Sequence, residues 1–198
     1  MTATEQDSET SAFQPVYKIY MEQLPRLFIG ILFVALLGGC ANDPSKRTVG
    51  VFIDDEGLEW TVKGEIRDSD PGFESAHIVV VSYNRVVLLA GQVASEALRE
   101  KAAEVAQSLQ SVRKVHNELT VSGPISFGSR TNDSWLTSKV KSRLIWADEA
   151  YGRKTKVVTE NGVVYLMGLL TREQADNAVA VTSKVYGVEK IVRVFEYI

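Results

Sequence analysis

Trp135, Lys139, Ser142 and Trp146 fall at i, i+4, i+7 and i+11, the spacing of a single stripe along an α-helix. Lys141 and Arg143 add two cations to the same stretch, and Asp133 is its only acid, so residues 131–146 carry a net charge of +2. Lysine and arginine near an anionic bilayer each contribute ~1 kcal/mol of attraction. Tryptophan settles at the bilayer interface, its ring in the acyl boundary and its N–H wet. Together they define a candidate interfacial helix that would dock on anionic phospholipid. Leu136, Val140 and Leu144 lie on the neighbouring stripe and are left to face a core. The same residues also fit a plain solvated face with Trp135 packed against another part of the chain.

A second reactive position is Cys40, the only cysteine. It follows Arg26, the apolar run Leu27 to Leu37, and Gly38-Gly39. A positive residue, a short apolar core and two small residues have the layout of a secretory signal peptide, and the run is short for a membrane span. Leu37-Gly38-Gly39-Cys40 resembles a bacterial lipobox. The resemblance implies that Cys40 is acylated, with palmitate among its chains, and becomes the first mature residue. The alternative is a structural cysteine in a transmembrane anchor. Ala41 stands where an aspartate would retain many lipoproteins in the inner membrane, which by the same resemblance implies the outer membrane, facing the periplasm. Residues 1–39 read as leader. Glu5, Asp7 and Glu9 are wrong for a signal n-region, so Met21 is the more ordinary start.

From Cys40 onward, basic and acidic side chains almost cancel. That balance argues against nucleic-acid binding, which wants a basic domain. Catalysis finds little support. His77 and His116 have no obvious carboxylate or nucleophile partner in sequence and read as exposed strand-face residues. Asp54-Asp55-Glu56 read as N-cap and first-turn acids that complement a helix dipole. No phosphate-binding glycine loop, catalytic triad or metal-ligand spacing is present. The expectation is no enzyme, no cofactor and no small-molecule substrate.

The elements that must position these residues occur twice. Leu58, Val62 and Ile66 recur at the same mutual spacing as Leu136, Val140 and Leu144. An apolar run, a turn and a second run follow each helix, ending at Gly91 and Gly168. Asn161-Gly162 between β-branched runs predicts a hairpin with a type I′ turn; the first copy has Arg85 where the second has Gly162. A further helix follows in each copy, with Leu98, Ala102, Val105, Ala106 and Leu109 on one stripe and Ala175, Ala178, Val179, Thr182 and Val185 on the other. Thr171 and Gln174 are spaced as a capping box. A turn and a last strand complete the unit, the turn in the second copy being Gly187-Val188. The expected fold is α+β: two tandem α-β-β-α-β domains, each with two helices on one face of a three-stranded sheet. The expected boundaries are a linker at 40–53, domains at 54–121 and 131–198, and a short linker at 122–130.

Two such copies, with Gly91, Gly168 and the Gly187-Val188 turn, look like paired BON domains. Behind a lipobox they resemble the dual-BON outer-membrane lipoproteins of Gram-negative bacteria. The resemblance implies phospholipid binding, mainly by the second domain, and a role in envelope integrity that touches envelope stress and cell division. It favours lipid contact over the solvated-face reading of Trp135, Lys139, Lys141, Arg143 and Trp146. The charge contrast agrees. The first helix of copy one, residues 54–68, carries a net −4 and would be repelled by anionic lipid. Trp60, one step from the core stripe of that helix, reads as core or inter-domain packing. The alternative function is a protein-interaction adaptor for an envelope assembly or cell-wall remodelling machine, which exposed apolar residues on the first domain's sheet would favour.

Overall fold

The computed structural model describes residues 49–122 and 127–198; Cys40, the leader and most of the 40–53 linker lie outside them. The first half runs α1 (Val49–Ser69), a 3-10 turn (Pro71–Phe73), β1 (His77–Tyr83), β2 (Val86–Val93), α2 (Glu96–Ser108) and β3 (Lys114–Val121). The second runs α3 (Phe127–Ala147), α4 (Glu149–Lys154), β4 (Lys156–Glu160), β5 (Val163–Leu170), α5 (Arg172–Thr182) and β6 (Lys190–Tyr197). Each half is the expected α-β-β-α-β unit. The 3-10 turn and α4, which periodicity did not reveal, are inserted after the first helix. Helix α1 starts at Val49, ahead of Asp54, and α3 starts at Phe127, inside the segment expected as linker.

Each sheet has three strands with the hairpin's second strand at the centre, in the orders β1-β2-β3 and β4-β5-β6. The hairpin pairs are antiparallel, and the last strand returns parallel to the centre through its crossover helix. Side-chain alternation gives each sheet two apolar faces. One face packs under helices: Ile78, Val80, Val87 and Leu89 meet Leu58, Val62 and Ile66 of α1 and Ala102 and Ala106 of α2. Val164, Leu166 and Leu170 likewise meet Leu136, Val140 and Leu144 of α3 and Ala175 and Ala178 of α5. The capping box of α5 forms as its sequence predicts, Thr171 Oγ1 accepting from Gln174 N at 3.2 Å and Gln174 Oε1 accepting from Thr171 N at 3.1 Å.

The other faces of the two sheets pack on each other. Val81, Tyr83, Val86, Leu88 and Ala90 from the first meet Tyr165, Met167 and Val194 from the second in a third core. The layers therefore run helix, sheet, sheet, helix. Among the described residues, the first domain's sheet exposes one large apolar side chain, Val121 at the end of β3, which is less than the apolar face a sheet-mediated adaptor would present. Burial, with Glu118 and Glu160 adding to it, pushes the Tyr165 phenol up to about 12. Polar ties ring this dry contact. Glu160 accepts from Gln92 Nε2 at 3.0 Å and lies 3.3 Å from His77 Nε2. Glu196 accepts from Asn84 Nδ2 at 2.9 Å and pairs with Arg113. Lys156 reaches Glu59 at 2.7 Å. His77, read from sequence as an exposed strand residue without a carboxylate, is thus paired across the domain contact with a residue 83 positions away.

Gly91 is where the hairpin is tightest. Its φ is +116°, and a Cβ there would stand 2.1 Å from the His77 carbonyl oxygen, a backbone atom that has no room to retreat. Gly91→Ala is expected to lower unfolding free energy by at least about 2 kcal/mol, read from the midpoint of urea unfolding. An unchanged midpoint would mean that the strand end relaxes freely.

Candidate functional site: an exposed aromatic and basic face on the second domain

The register of α3 is fixed from beneath. Leu136, Val140 and Leu144 are fully buried. Thr137 Oγ1 donates to Thr159 Oγ1 at 2.8 Å, and Asp133 accepts from Asn161 N at 2.7 Å and Gly162 N at 2.9 Å. With those positions committed to the fold, helical periodicity turns the stripe of Trp135, Lys139 and Trp146 outward. Trp135 is 56 % exposed and Trp146 88 %, so the reading of Trp135 as packed against the other half is not what the fold shows. Together with Ser138, Ser142 and Arg143 these residues line a shallow depression of about 590 Å³. A methylene-rich lysine, an arginine, two hydroxyls and two indoles can there meet acyl carbons, phosphate oxygens and glycerol hydroxyls.

The structure adds a residue that helical spacing alone could not supply. Tyr186, 88 % exposed, sits in the turn between α5 and β6, where Gly187 takes φ +102°. That turn crosses beside α3: a Cβ on Gly187 would lie 3.6 Å from Leu136. Lys139 Nζ stands 4.4 Å from the Trp135 ring centroid and 5.7 Å from that of Tyr186, and donates to the Tyr186 carbonyl at 3.4 Å. Two rings flank one ammonium, so its stem is covered while its charge remains at the surface. The sequence signal was present: an aromatic residue immediately before a turn glycine has no core to enter.

Lys141 leaves the group. Its Nζ donates to the carbonyls of Gly152 at 2.8 Å and Thr155 at 2.5 Å, and burial lowers its pKa. It satisfies carbonyls at the C-terminal end of α4, and Tyr151 beside them plugs the core. Arg143 stays exposed. The acids of α1 also take a different place from the one read in sequence. Asp55 lies in the helix interior, 1 % exposed, and accepts from Ser82 Oγ at 2.6 Å, Asn84 N at 2.8 Å and Arg85 N at 2.9 Å. It is the first domain's counterpart of Asp133. Trp60 is neither core nor inter-domain packing, since it is 78 % exposed on α1. His116 is half-buried, and burial, with Lys114 adding to it, lowers its pKa. Among the described residues no group of His, Cys, Asp and Glu is arranged to hold a metal ion, and no helix is long and apolar enough to cross a membrane.

Two mixed α-β-β-α-β units with their sheets in contact define a tandem α+β repeat. The BON domain model matches residues 54–123 and 132–198, and the chain belongs to that family. It is similar to the outer membrane lipoprotein DolP of Haemophilus influenzae, 37 % identical over 190 residues that cover 93 % of this chain and 97 % of the relative. A 21 kDa hemolysin of Actinobacillus pleuropneumoniae is 38 % identical over 77 % of this chain and 78 % of its own length. Osmotically-inducible protein Y of Escherichia coli is 34 % identical over 75 % of each.

Proposed function

We propose that this chain is an outer-membrane lipoprotein, anchored through lipid on Cys40 and facing the periplasm, whose second BON domain docks on anionic phospholipid and so supports envelope integrity. Outer-membrane residence rests on the 37 % identical lipoprotein relative, which spans nearly the whole chain. The reading is non-enzymatic, and no catalytic family is indicated by the matches. One observation carries the lipid docking: Trp135, Trp146 and Tyr186 stand exposed around Lys139 and Arg143, on the outer layer of the second domain. Burying large apolar side chains contributes about 1.5–3 kcal/mol each, and the cations supply long-range attraction. The layer order supports the same assignment, because it puts the acidic helix α1 on the opposite side of the molecule from α3.

Co-sedimentation with vesicles of phosphatidylcholine alone and with added phosphatidylglycerol tests the docking. Binding should require the anionic lipid at physiological salt, and equal binding to both vesicles would reject the electrostatic half of the proposal. The anchor is tested separately. Cys40→Ser should abolish labelling by fatty acid and release the protein from washed outer membranes, since two or more acyl chains hold stably what one surface helix holds reversibly. If the variant fractionates as the wild type does, and the wild type takes up no label, Cys40 is not an anchor. A protein-interaction adaptor for envelope assembly or cell-wall remodelling is the second reading, favoured by the exposure of Trp60 on the side of the molecule away from α3.

A further inference from the structure

We infer that the groove between α1 and the free edge of β1 in the first domain binds an extended peptide segment by strand addition, selecting one that carries a carboxylate. The groove holds about 440 Å³, and Trp60, Lys63, Arg67, Phe73, Ile78 and Val80 line it. Among the described residues, strand β1 ends its sheet and pairs only with β2. Which of its backbone groups face outward follows from the pairing. Tyr83 and Val86 close the two-residue hairpin as a hydrogen-bonded pair, so alternate residues of β1, beginning with Ser82, turn their N–H and C=O away from β2. Ser82 bears this out: its N–H donates to Glu59 Oε1 at 2.8 Å and its carbonyl accepts from Lys156 Nζ at 3.2 Å. Ile78 and Val80 share its parity, and their outward groups have no hydrogen-bond partner among the described residues. Two N–H donors and two carbonyls, alternating along an edge that is capped at its Ser82 end, are matched by another extended backbone and not by a lipid tail.

Charge selects within that class. Helix α1 is acidic overall, yet its two cations over residues 54–68, Lys63 and Arg67, both line this groove, and neither forms an ion pair among the described residues. Two acids also line the groove: Glu59 is already held by Lys156 at 2.7 Å, and Glu74 stands exposed just after the 3-10 turn. The second domain shows what a lysine does at this place. Lys141 is the repeat counterpart of Lys63, and its ammonium is seated on the carbonyls of Gly152 and Thr155, a segment of chain lying beside the helix. In the first domain the 3-10 turn Pro71–Phe73 is shorter than α4 and leaves Lys63 without such carbonyls. An added strand would lay alternate side chains toward α1, an apolar one against Trp60 and a carboxylate against Lys63 and Arg67.

The test uses the full chain in a non-ionic detergent, with Trp135→Phe and Trp146→Phe so that Trp60 alone reports. The probes are acetylated, amidated seven-residue peptides alternating threonine and valine, with one glutamate or one lysine stepped along the sequence. A glutamate peptide in one register is expected to shift Trp60 emission and to slow amide exchange at Ile78 and Val80 at least tenfold. It should bind about tenfold tighter than the lysine peptide of the same register, a gap that shrinks as salt rises. N-methylation of alternate peptide amides should abolish binding, and Lys63→Glu with Arg67→Glu, both at exposed positions, should reverse the charge preference. The inference is overturned if no peptide protects Ile78 and Val80, or if N-methylated peptides bind equally. It is also overturned if those amides are already as protected as Val79 and Val81 in the free chain, or if they become protected on raising protein concentration alone, which would make the edge a self-association surface.

Discussion

Asp55→Ala is expected to lower unfolding free energy by about 4 kcal/mol, the largest stability loss among the polar contacts described above. The carboxylate is buried on α1 and receives three donors from the β1–β2 hairpin, two of them backbone amides of the turn. Hydrogen bonds to a charged group contribute about 1.5–3 kcal/mol each, and leaving a buried donor unpaired carries the full desolvation penalty. The turn itself needs this support, because Asn84 and Arg85 both take left-handed φ, 52° and 64°. For arginine that conformation costs roughly 1–2 kcal/mol. The guanidinium offsets part of it by donating to the carbonyls of Ser111 at 2.7 Å and Gln110 at 3.1 Å. Asp133 performs the same function in the second domain with two amides and a glycine in the turn. Asp133→Ala should therefore cost less, about 3 kcal/mol. Urea unfolding of both variants, analysed at constant slope, reads the two losses and their order. Losses below about 1 kcal/mol in both would mean that the turns hold themselves and that the carboxylates are dispensable.

These carboxylates mark the limit of what was legible in the sequence. Helix and strand positions follow from local periodicity, and the internal repeat doubled the evidence for each. Asn161-Gly162 gave its turn because backbone geometry demands those residue types, and φ values of 51° and 74° meet that demand. Asp54-Asp55-Glu56 instead resembled a helix start, because acids are favoured there for reasons of dipole. Their true difference, that Asp55 faces a hairpin 27 residues downstream while Asp54 is exposed, exists only in three dimensions. Lys141 failed for the same reason. Three cations within residues 139–143 look equivalent as a sum of charge, but Lys141 is bent toward α4, an element too short to announce itself by periodicity. The contact between sheets was hidden in plain composition. Strands apolar on both faces, such as Val86 to Ala90, already require a second cover, and the second sheet supplies it.

Removal of Lys141 from the docking face changes the size of the expected lipid effect. Lys139 and Arg143 remain, so electrostatic attraction to an anionic bilayer should supply ~2 kcal/mol at low salt rather than three residues' worth. Neutralising both would weaken binding roughly 30-fold. Lys139→Glu with Arg143→Glu should weaken it further by adding repulsion, and should flatten or invert its salt dependence. Lys141→Met separates the two roles. It should leave the salt slope of vesicle binding unchanged while destabilising the second domain, because the carbonyls of Gly152 and Thr155 lose their donor. Trp135→Ala should weaken binding roughly tenfold at every salt concentration, since ring burial is not screened. Tyr186→Ala should act in the same direction, and it tests whether the α5–β6 turn belongs to the docking face. Fluorescence provides the direct view: with Trp60→Phe and Trp146→Phe, Trp135 emission should move to the blue and resist aqueous quencher when phosphatidylglycerol vesicles are added. If it does neither, α3 presents an ordinary solvated face, and the acidic domain with its open strand edge becomes the part of the molecule through which it acts.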